Sequence, residues 1–340
     1  MGSTKPRQPT MNDVAQAAGV SQTTVSFVVN EVEDTGITEE TKRRVLAAIE
    51  KLGYRPRIPK RFRRQSGFIC LVVDNVLSSP HGNRLIQGVQ DEAWARGMSV
   101  IVEETGFPGG QPDSSALAKL YEIHLEHMIY ATLAHERITP PKSFYEWSVV
   151  LLNCSEPKGR LASIVPDERE AEKRATTVLL DAGHTRIGFI GGPKFEIGVA
   201  TMARFDGYRD ALQERGVALD ESLVSFGADL ADTGHDQARR LLDRKDRPTA
   251  LVCYNDQIAM GAYQAATELN LAIPRDVAVI GFDNLELIAG FLRPGLSTME
   301  LPHYEMGQRA VQFVLGESAA GGARPEQLRV ECPYIARDSV

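Results

Sequence analysis

Apolar positions along this chain follow two different periods, and the change between them divides it. From Thr10 to Asn30, TMNDVAQAAGVSQTTVSFVVN, they fall at helical spacing. Thr10 predicts a helix N-cap, and Asp13 three residues on completes the reciprocal capping pattern. Val14, Ala17 and Ala18 line one face, Gly19 turns the chain, and Ser21 caps a second helix carrying Val25, Val28 and Val29. Two short helices with small residues at their crossing predict a helix-turn-helix. After the acidic loop EVEDTG, Thr38 opens a third helix whose stripe is Val45, Ile49 and Leu52, closed by Gly53.

From Phe68 the period changes. Runs such as FICLVVD, MSVIVE, HMIYATL, WSVVLLN, RIGFIGG, TALVCYN and VAVIGFDN alternate with amphipathic helical stretches. Continuous β-branched runs between such helices mean parallel sheets covered on both faces. There are too many strands for one comfortable sheet, so two similar lobes are expected. The fold class is therefore an N-terminal all-α helix-turn-helix domain followed by a two-lobed α/β domain. Ligands in such folds sit beyond the carboxyl ends of the strands, where this chain places Asp74, Asn75, Asn153, Asn255, Asp256, Asp283 and Asn284.

On the second helix Gln22, Thr23, Ser26, Phe27 and Asn30 share the face opposite the valines. Amide and hydroxyl side chains there suit base edges in a major groove, and Thr23 and Phe27 suit a thymine methyl. Periodicity alone leaves a plain solvated face equally open.

Composition changes the picture through charge placement. The 340 residues are 43% hydrophobic and 24% charged with a net charge of −7, which does not suggest a nucleic-acid binder. Residues 1–65, however, hold 12 Lys+Arg against 7 Asp+Glu, a net of +5, and the rest carries −12. A basic head on an acidic body is the footprint of a DNA-reading module attached to a regulatory domain. Residues 51–64 alone carry seven positive charges and no negative one. They read either as a solvated linker or as a segment that tracks phosphates.

The four cysteines are widely spaced and read as small core residues of a reducing cytosol. No apolar run approaches the roughly 20 residues of a membrane span, and no signal sequence opens the chain. Met1 to Pro9 reads as a loose basic tail. GFIGGP lacks dinucleotide-fingerprint spacing, and neither a P-loop nor a G-x-S-x-G elbow occurs. His124, His127 and His135 are expected to be solvated rather than metal-binding, and Asp167 with Glu168 lacks a partner base for catalysis.

The first stretch closely resembles the DNA-binding motif of the lactose-repressor/galactose-repressor (LacI-GalR) family, T-x-x-D-V-A-x-x-A-G-V-S-x-x-T-V-S-x-V-x-N, at every fixed position. The resemblance implies base reading by Gln22, Thr23 and Phe27, and phosphate contacts from Thr10, Ser21, Ser26, Asn30, Thr38 and Tyr54. An apolar Phe27 departs from most relatives and puts the operator sequence, not the binding mode, in question. The basic stretch matches the family's hinge helix, with Arg57 among its groove-facing residues. The hinge leucine position is Arg63 here, so either Arg63 and Arg64 enter a narrow minor groove or Phe62 acts as the apolar wedge.

AGHTRIGFIGGP, ARFDGYRDAL, YNDQIAMGA, VIGFDN and LSTM resemble signatures of the family's periplasmic-binding-protein-like sensor. By that resemblance Arg204, Asn153, Asn255 and Asp283 contact an effector, with Asn75, His81, Asp229 and His303 as further contacts. Asp229 stands where relatives carry an aromatic platform, and His81 and Gly82 follow Pro80 where relatives carry aromatics. A hydrophilic effector, a sugar or glycoside, is therefore expected rather than a purine. The implied division is 1–54 as the DNA-binding domain, 55–66 as the hinge and 67–340 as the sensor. Its first lobe is expected at about 67–162 plus 292–325, the second at about 163–291 plus 326–340.

The resulting expectation is a cytoplasmic, nucleoid-associated transcriptional repressor without enzymatic activity, cofactor or metal. It would bind a near-palindromic operator as a homodimer and be released by a small carbohydrate. A co-repressor-dependent regulator, and from another class a sugar-binding or sugar-processing α/β protein, remain open alternatives.

Overall fold

The computed structural model describes residues 9–29, 32, 35–52, 67–74, 76–77, 80–104, 127–145, 147–194, 199–316 and 327–340. The chain forms two compact units, Met1–Ser66 and Gly67–Val340.

In the first unit α1 (Met11–Ala18), α2 (Gln22–Val29) and α3 (Glu39–Leu52) each begin at a side-chain cap. The Thr10 hydroxyl donates to Asp13 Oδ2 at 2.7 Å, and the Thr10 backbone N–H donates to the same oxygen at 2.6 Å. Asp13 N–H returns to Thr10 Oγ1, closing the capping box. Ser21 Oγ accepts from Thr24 N–H at 3.1 Å and Thr38 Oγ1 from Thr41 N–H at 3.3 Å. Gly19, at φ 65°, takes the left-handed conformation that ends α1. The core is Val14, Ala15, Ala18, Val25, Val45 and Ala48. Ala17 is exposed, contrary to expectation, and Ala15 is buried in its place. Met11, Val14, Ala15 and Ala18 keep the three-and-four spacing of one face, which leaves Ala17 on the flank.

The second unit holds two six-stranded sheets. The first contains β1 (Phe68–Asp74), β2 (Ser99–Glu104), β3 (His127–Arg137), β4 (Ser148–Ser155), β5 (Ala162–Pro166) and β11 (Gln327–Val330), in the order β11-β5-β4-β3-β1-β2, parallel throughout. The second contains β6 (Ile187–Gly191), β7 (Val224–Phe226), β8 (Ala250–Cys253), β9 (Ala278–Asp283), β10 (Ser297–Glu300) and β12 (Tyr334–Ile335), in the order β12-β10-β9-β8-β6-β7. Only the β10–β12 pair is antiparallel. The parallel, two-sheet architecture is the one read from the sequence.

The lobe boundaries shift from that reading. β10 pairs with β9 and so belongs to the second sheet, although 292–325 was assigned to the first lobe. β11 pairs with β5 in the first sheet, although 326–340 was assigned to the second lobe, and β5 runs past residue 162. The chain therefore passes between the sheets after Pro166, at Pro302 and at Pro333, each crossing only a few residues long. Proline ends a strand by withholding a ladder donor.

Flanking helices pack close where they lack a Cβ. Between α4 (Pro80–Ala95) and α10 (His303–Val314), a Cβ on Gly88 would stand 2.0 Å from the Tyr304 carbonyl oxygen. The same holds between α5 (Glu168–Asp181) and α6 (Ala200–Glu214), where a Cβ on Gly207 would stand 2.2 Å from the Arg169 carbonyl oxygen. That approach brings α6 onto the inner face of α5. All four cysteines are buried thiols, and burial pushes Cys70 up to about 12, as core placement implies.

Candidate functional site

On α2, Val25 is fully buried while Gln22 and Thr23 are exposed and Phe27 keeps 38% of its surface in solvent. Ser26 is half-buried beside them. Thr10, Ser21 and Thr38 all sit at helix N-termini, where backbone N–H groups and the helix dipole favour phosphate. Asn30, Tyr54, Arg57, Phe62, Arg63 and Arg64 lie outside the described residues, as does the choice between Phe62 and Arg63 as the wedge.

In the second unit the end of β9 meets Arg204 through Asp283. Arg204 projects from α6, is 3% exposed, and donates from Nη2 to Glu168 Oε1 at 3.2 Å. Its Nη1 donates to the Tyr254 carbonyl oxygen and stands 3.7 Å from Asp283 Oδ1. The guanidinium lies 3.6 Å from the centroid of the Phe282 ring and 4.4 Å from that of Tyr254. Two aromatic faces and a carboxylate fix the plane of the fork. Against the cost of burial, Glu168 and its neighbours hold Arg204 firmly protonated. Asp283 ends β9 at φ 107°, a conformation seldom adopted by a side-chain-bearing residue. Burial raises its carboxyl to about 7, although Arg204 pulls the other way.

Asn153 and Asn255 behave differently from Arg204. Asn255 caps α8 (Asp256–Glu268), accepting at Oδ1 from Ile258 N–H at 2.8 Å and donating to the Asp229 carbonyl at 3.1 Å. Asn153, at φ 58°, donates to the carbonyls of Thr132 and Leu133 at 3.2 and 2.7 Å. Both amide donors are engaged within the chain's own turns. Asp229 is exposed on the loop before α7 (Ala231–Leu242), and its charge bears on Asp283. His303 is buried at the start of α10, next to the crossing at Pro302. Asn75 lies outside the described residues, and of His81 only the backbone, in α4, is described.

Three residues that sequence reasoning passed over complete the cluster. Glu168 and Glu172, 3% and 1% exposed, occupy the buried face of α5 with Ala171, Ala175 and Leu179. Glutamates at i and i+4 inside an apolar stripe were the available signal. Glu172 is pushed up to about 8 by burial, even with Arg204 nearby. His135, expected in solvent, is 5% exposed instead, because β3 runs on past a bulge to Arg137 and carries it inward. Burial holds its imidazole neutral, while Glu168 opposes that from the other lobe. Its carbonyl accepts from Val199 N–H at 2.9 Å, tying the first sheet to the entry of α6. Asp167 points outward to Arg329, 3.4 Å away, so it forms no pair with Glu168.

Asp256, fully buried, accepts from the Thr298 hydroxyl at 2.7 Å and from Leu285 N–H at 2.6 Å, joining β10 to the loop after β9. Burial raises it to about 8. Glu172, Asp256 and Asp283 each hold a proton in the folded chain that the unfolded chain has already lost. Where the folded state binds more protons, stability falls as pH rises, by about 1.4 kcal/mol per pH unit for each fully retained proton. His135 acts oppositely, but only below about its ordinary value of 6.5. The thermal midpoint is therefore expected to be highest near pH 5 and to drop by several degrees or more as pH rises to about 8, where the three groups have released their protons. Scanning calorimetry across that range checks it, and Glu172→Gln should flatten the slope.

With this geometry in view, comparison with known proteins is informative. Residues 10–57 match the family described as "Bacterial regulatory proteins, lacI family", and residues 176–340 match the "Periplasmic binding protein-like domain". The chain is 33% identical to the HTH-type transcriptional regulator reg1 of Streptomyces lividans, over 95% of this chain and 94% of that one. It is 30% identical to the ribose operon repressor of Escherichia coli, over 97% and 99%. Among solved structures it is similar to the complex of the transcriptional regulator CelR with cellobiose, with a TM-score of 0.65, 26% identity, and coverage of 98% and 100%. A helix-turn-helix unit followed by a two-sheet sensor, with relatives matched over nearly their whole length, places this chain in the lacI family of bacterial transcriptional regulators.

Proposed function

We propose that this regulator is a repressor that binds a near-palindromic operator as a homodimer and is released by a small carbohydrate held at the strand ends of its sensor unit. The observation that carries the effector reading is the Arg204 fork, fixed between two aromatic faces and set against Asp283. A guanidinium and a carboxylate side by side grip vicinal hydroxyls through paired hydrogen bonds. Support comes from CelR, whose solved complex holds cellobiose, and from a relative named as a ribose operon repressor. Asp283, Asp229 and His303 contact the effector in this reading. Asn153 and Asn255 keep the strand-end turns in shape, with the buried Oδ1 of Asn153 facing the ligand.

Gln22, Thr23 and Phe27 read base edges, and the caps at Thr10, Ser21 and Thr38 meet phosphates. No described helix is long and apolar enough to cross a membrane, and a cytoplasmic, DNA-associated protein fits that reading. Effector binding changes how the lobes close and so how the paired hinges meet DNA. Gel retardation of the full chain on a random-sequence pool tests it. The expected result is sequence-selective, salt-sensitive retardation that a carbohydrate relieves. Tightening by the carbohydrate would replace release with co-repression, and indifference to DNA sequence at physiological ionic strength would overturn the proposal.

A further inference from the structure

The cluster beneath the proposed effector site holds one guanidinium and three carboxyl groups. Arg204 is engaged by Glu168 at 3.2 Å and by Asp283 at 3.7 Å, and Glu172 stands behind them on the same buried face of α5. None of the four exceeds 9% side-chain or residue exposure. Buried polar atoms there are left over: Glu168 Oε2, Glu172 Oε1 and Arg204 Nε have no hydrogen-bond partner among the described residues, nor does either ring nitrogen of His135. Around this core the sign of charge is mostly the same. Asp229 bears on Asp283 from the rim, and in the first lobe Asp74 ends β1 beside Glu136, whose carboxyl burial and Asp74 together raise. Of the nearby cations, Arg329 is drawn to Asp167, and with Arg137 it acts on His135.

We infer that the site selects its effector by charge, accepting uncharged or amine-bearing polyols and excluding sugar acids and sugar phosphates, because Glu168 and Asp283 engage Arg204 before any ligand arrives. This rests on the carbohydrate reading above. A guanidinium exposed to a ligand in a dry pocket is ordinarily an anion-binding group. Here an incoming carboxylate or phosphate would meet the carboxylates already paired with it, at an effective dielectric that screens the repulsion poorly. An ammonium group, by contrast, gains from the unpaired carboxylate oxygens. Glu168 thus acts as a specificity-determining residue through Arg204.

Isothermal titration of the full chain with mono- and disaccharides, each as the uncharged sugar, the amino sugar, the uronate and the 6-phosphate, tests this. Uncharged and amino forms are expected to bind, with acidic forms of the same sugar weaker by about tenfold or more. Inorganic phosphate serves as a second probe, because it needs no knowledge of the sugar. It should leave the thermal midpoint of the wild type unchanged and raise that of Glu168→Gln, whose Arg204 has lost its carboxylate partner at Nη2. A purely structural role for Glu168 would lower stability without creating that phosphate response. Equal or tighter binding of an acidic form, or phosphate stabilisation of the wild type, overturns the inference alone. Binding of no sugar in any form overturns the carbohydrate reading and the inference with it.

Discussion

Arg204→Ala is expected to lower the thermal midpoint of the sensor unit by on the order of 10 °C, and to do so far more at pH 8 than at pH 5. Removing one partner of a buried ionic cluster costs about 3–5 kcal/mol, since the remaining charges keep their desolvation penalty without their counter-ion. At roughly 2–4 °C per kcal/mol for a unit of this size, that sets the scale of the shift. Glu168, Glu172 and Asp283 would face one another across the space the guanidinium left. Glu172 and Asp283, raised by burial to about 8 and about 7, take up protons as pH falls from 8 towards 5 and the repulsion fades, so the deficit should shrink. Arg204→Lys keeps the charge but loses the planar fork against Phe282 and Tyr254, and should recover part of the stability. A deficit equal at both pH values would mean that packing rather than charge is what Arg204 contributes.

The same cluster shows where sequence reading succeeds and where it stops. Asp283 was legible as a polar residue closing a strand, and Arg204 through its place in a stretch that resembles the family's signature. Glu172 was not. On a helix covered on both sides, a buried glutamate looks like a surface one until the partner helix is in place, and the close approach at Gly207 is what buries it. His135 was missed for a related reason. The apolar run HMIYATL ends at Leu133 and leaves the histidine outside the strand, whereas β3 continues through a register shift between Ala131 and Glu136 and buries it.

Capping was the most legible feature of all. Thr10, Ser21 and Thr38 each fix a helix start through a hydrogen bond within three residues, so nothing distant overrides them. Lobe membership was the least legible, since it depends on which sheet a four-residue strand such as Ser297–Glu300 joins. That is decided by long-range pairing, and by the buried bond from Thr298 to Asp256. The prolines at 166, 302 and 333 carried the information, one at each crossing. The family resemblance implies ligand contacts for Asn153 and Asn255, which are polar residues at strand ends. They also fit the role of closing the turn, and the turn has claimed their amide donors.

Under the proposed operator reading, truncating the exposed face of α2 should separate specific from non-specific DNA binding. Gln22→Ala and Phe27→Ala are each expected to weaken binding to the selected operator by about 1–3 kcal/mol, roughly 5- to 150-fold. Affinity for unrelated DNA should be unchanged. The separation follows from where the charges lie: Gln22 and Phe27 are neutral, while the seven positive charges of residues 51–64 and the helix N-termini stay intact. The slope of log affinity against log salt, which counts neutralised phosphates, should therefore be the same for both variants and the wild type. Folding should be spared as well, because Gln22 is exposed and Phe27 keeps 38% of its surface in solvent, outside the core of Val14, Val25 and Val45. The double variant tests independence: losses that add place the two side chains on different base pairs, and losses that do not add place them on one. Fluorescence anisotropy on operator and scrambled duplexes across a salt series measures all three quantities. A variant that lost operator and scrambled DNA in equal proportion, or changed the salt slope, would make this face a phosphate-tracking surface and move the reading of sequence elsewhere in the chain.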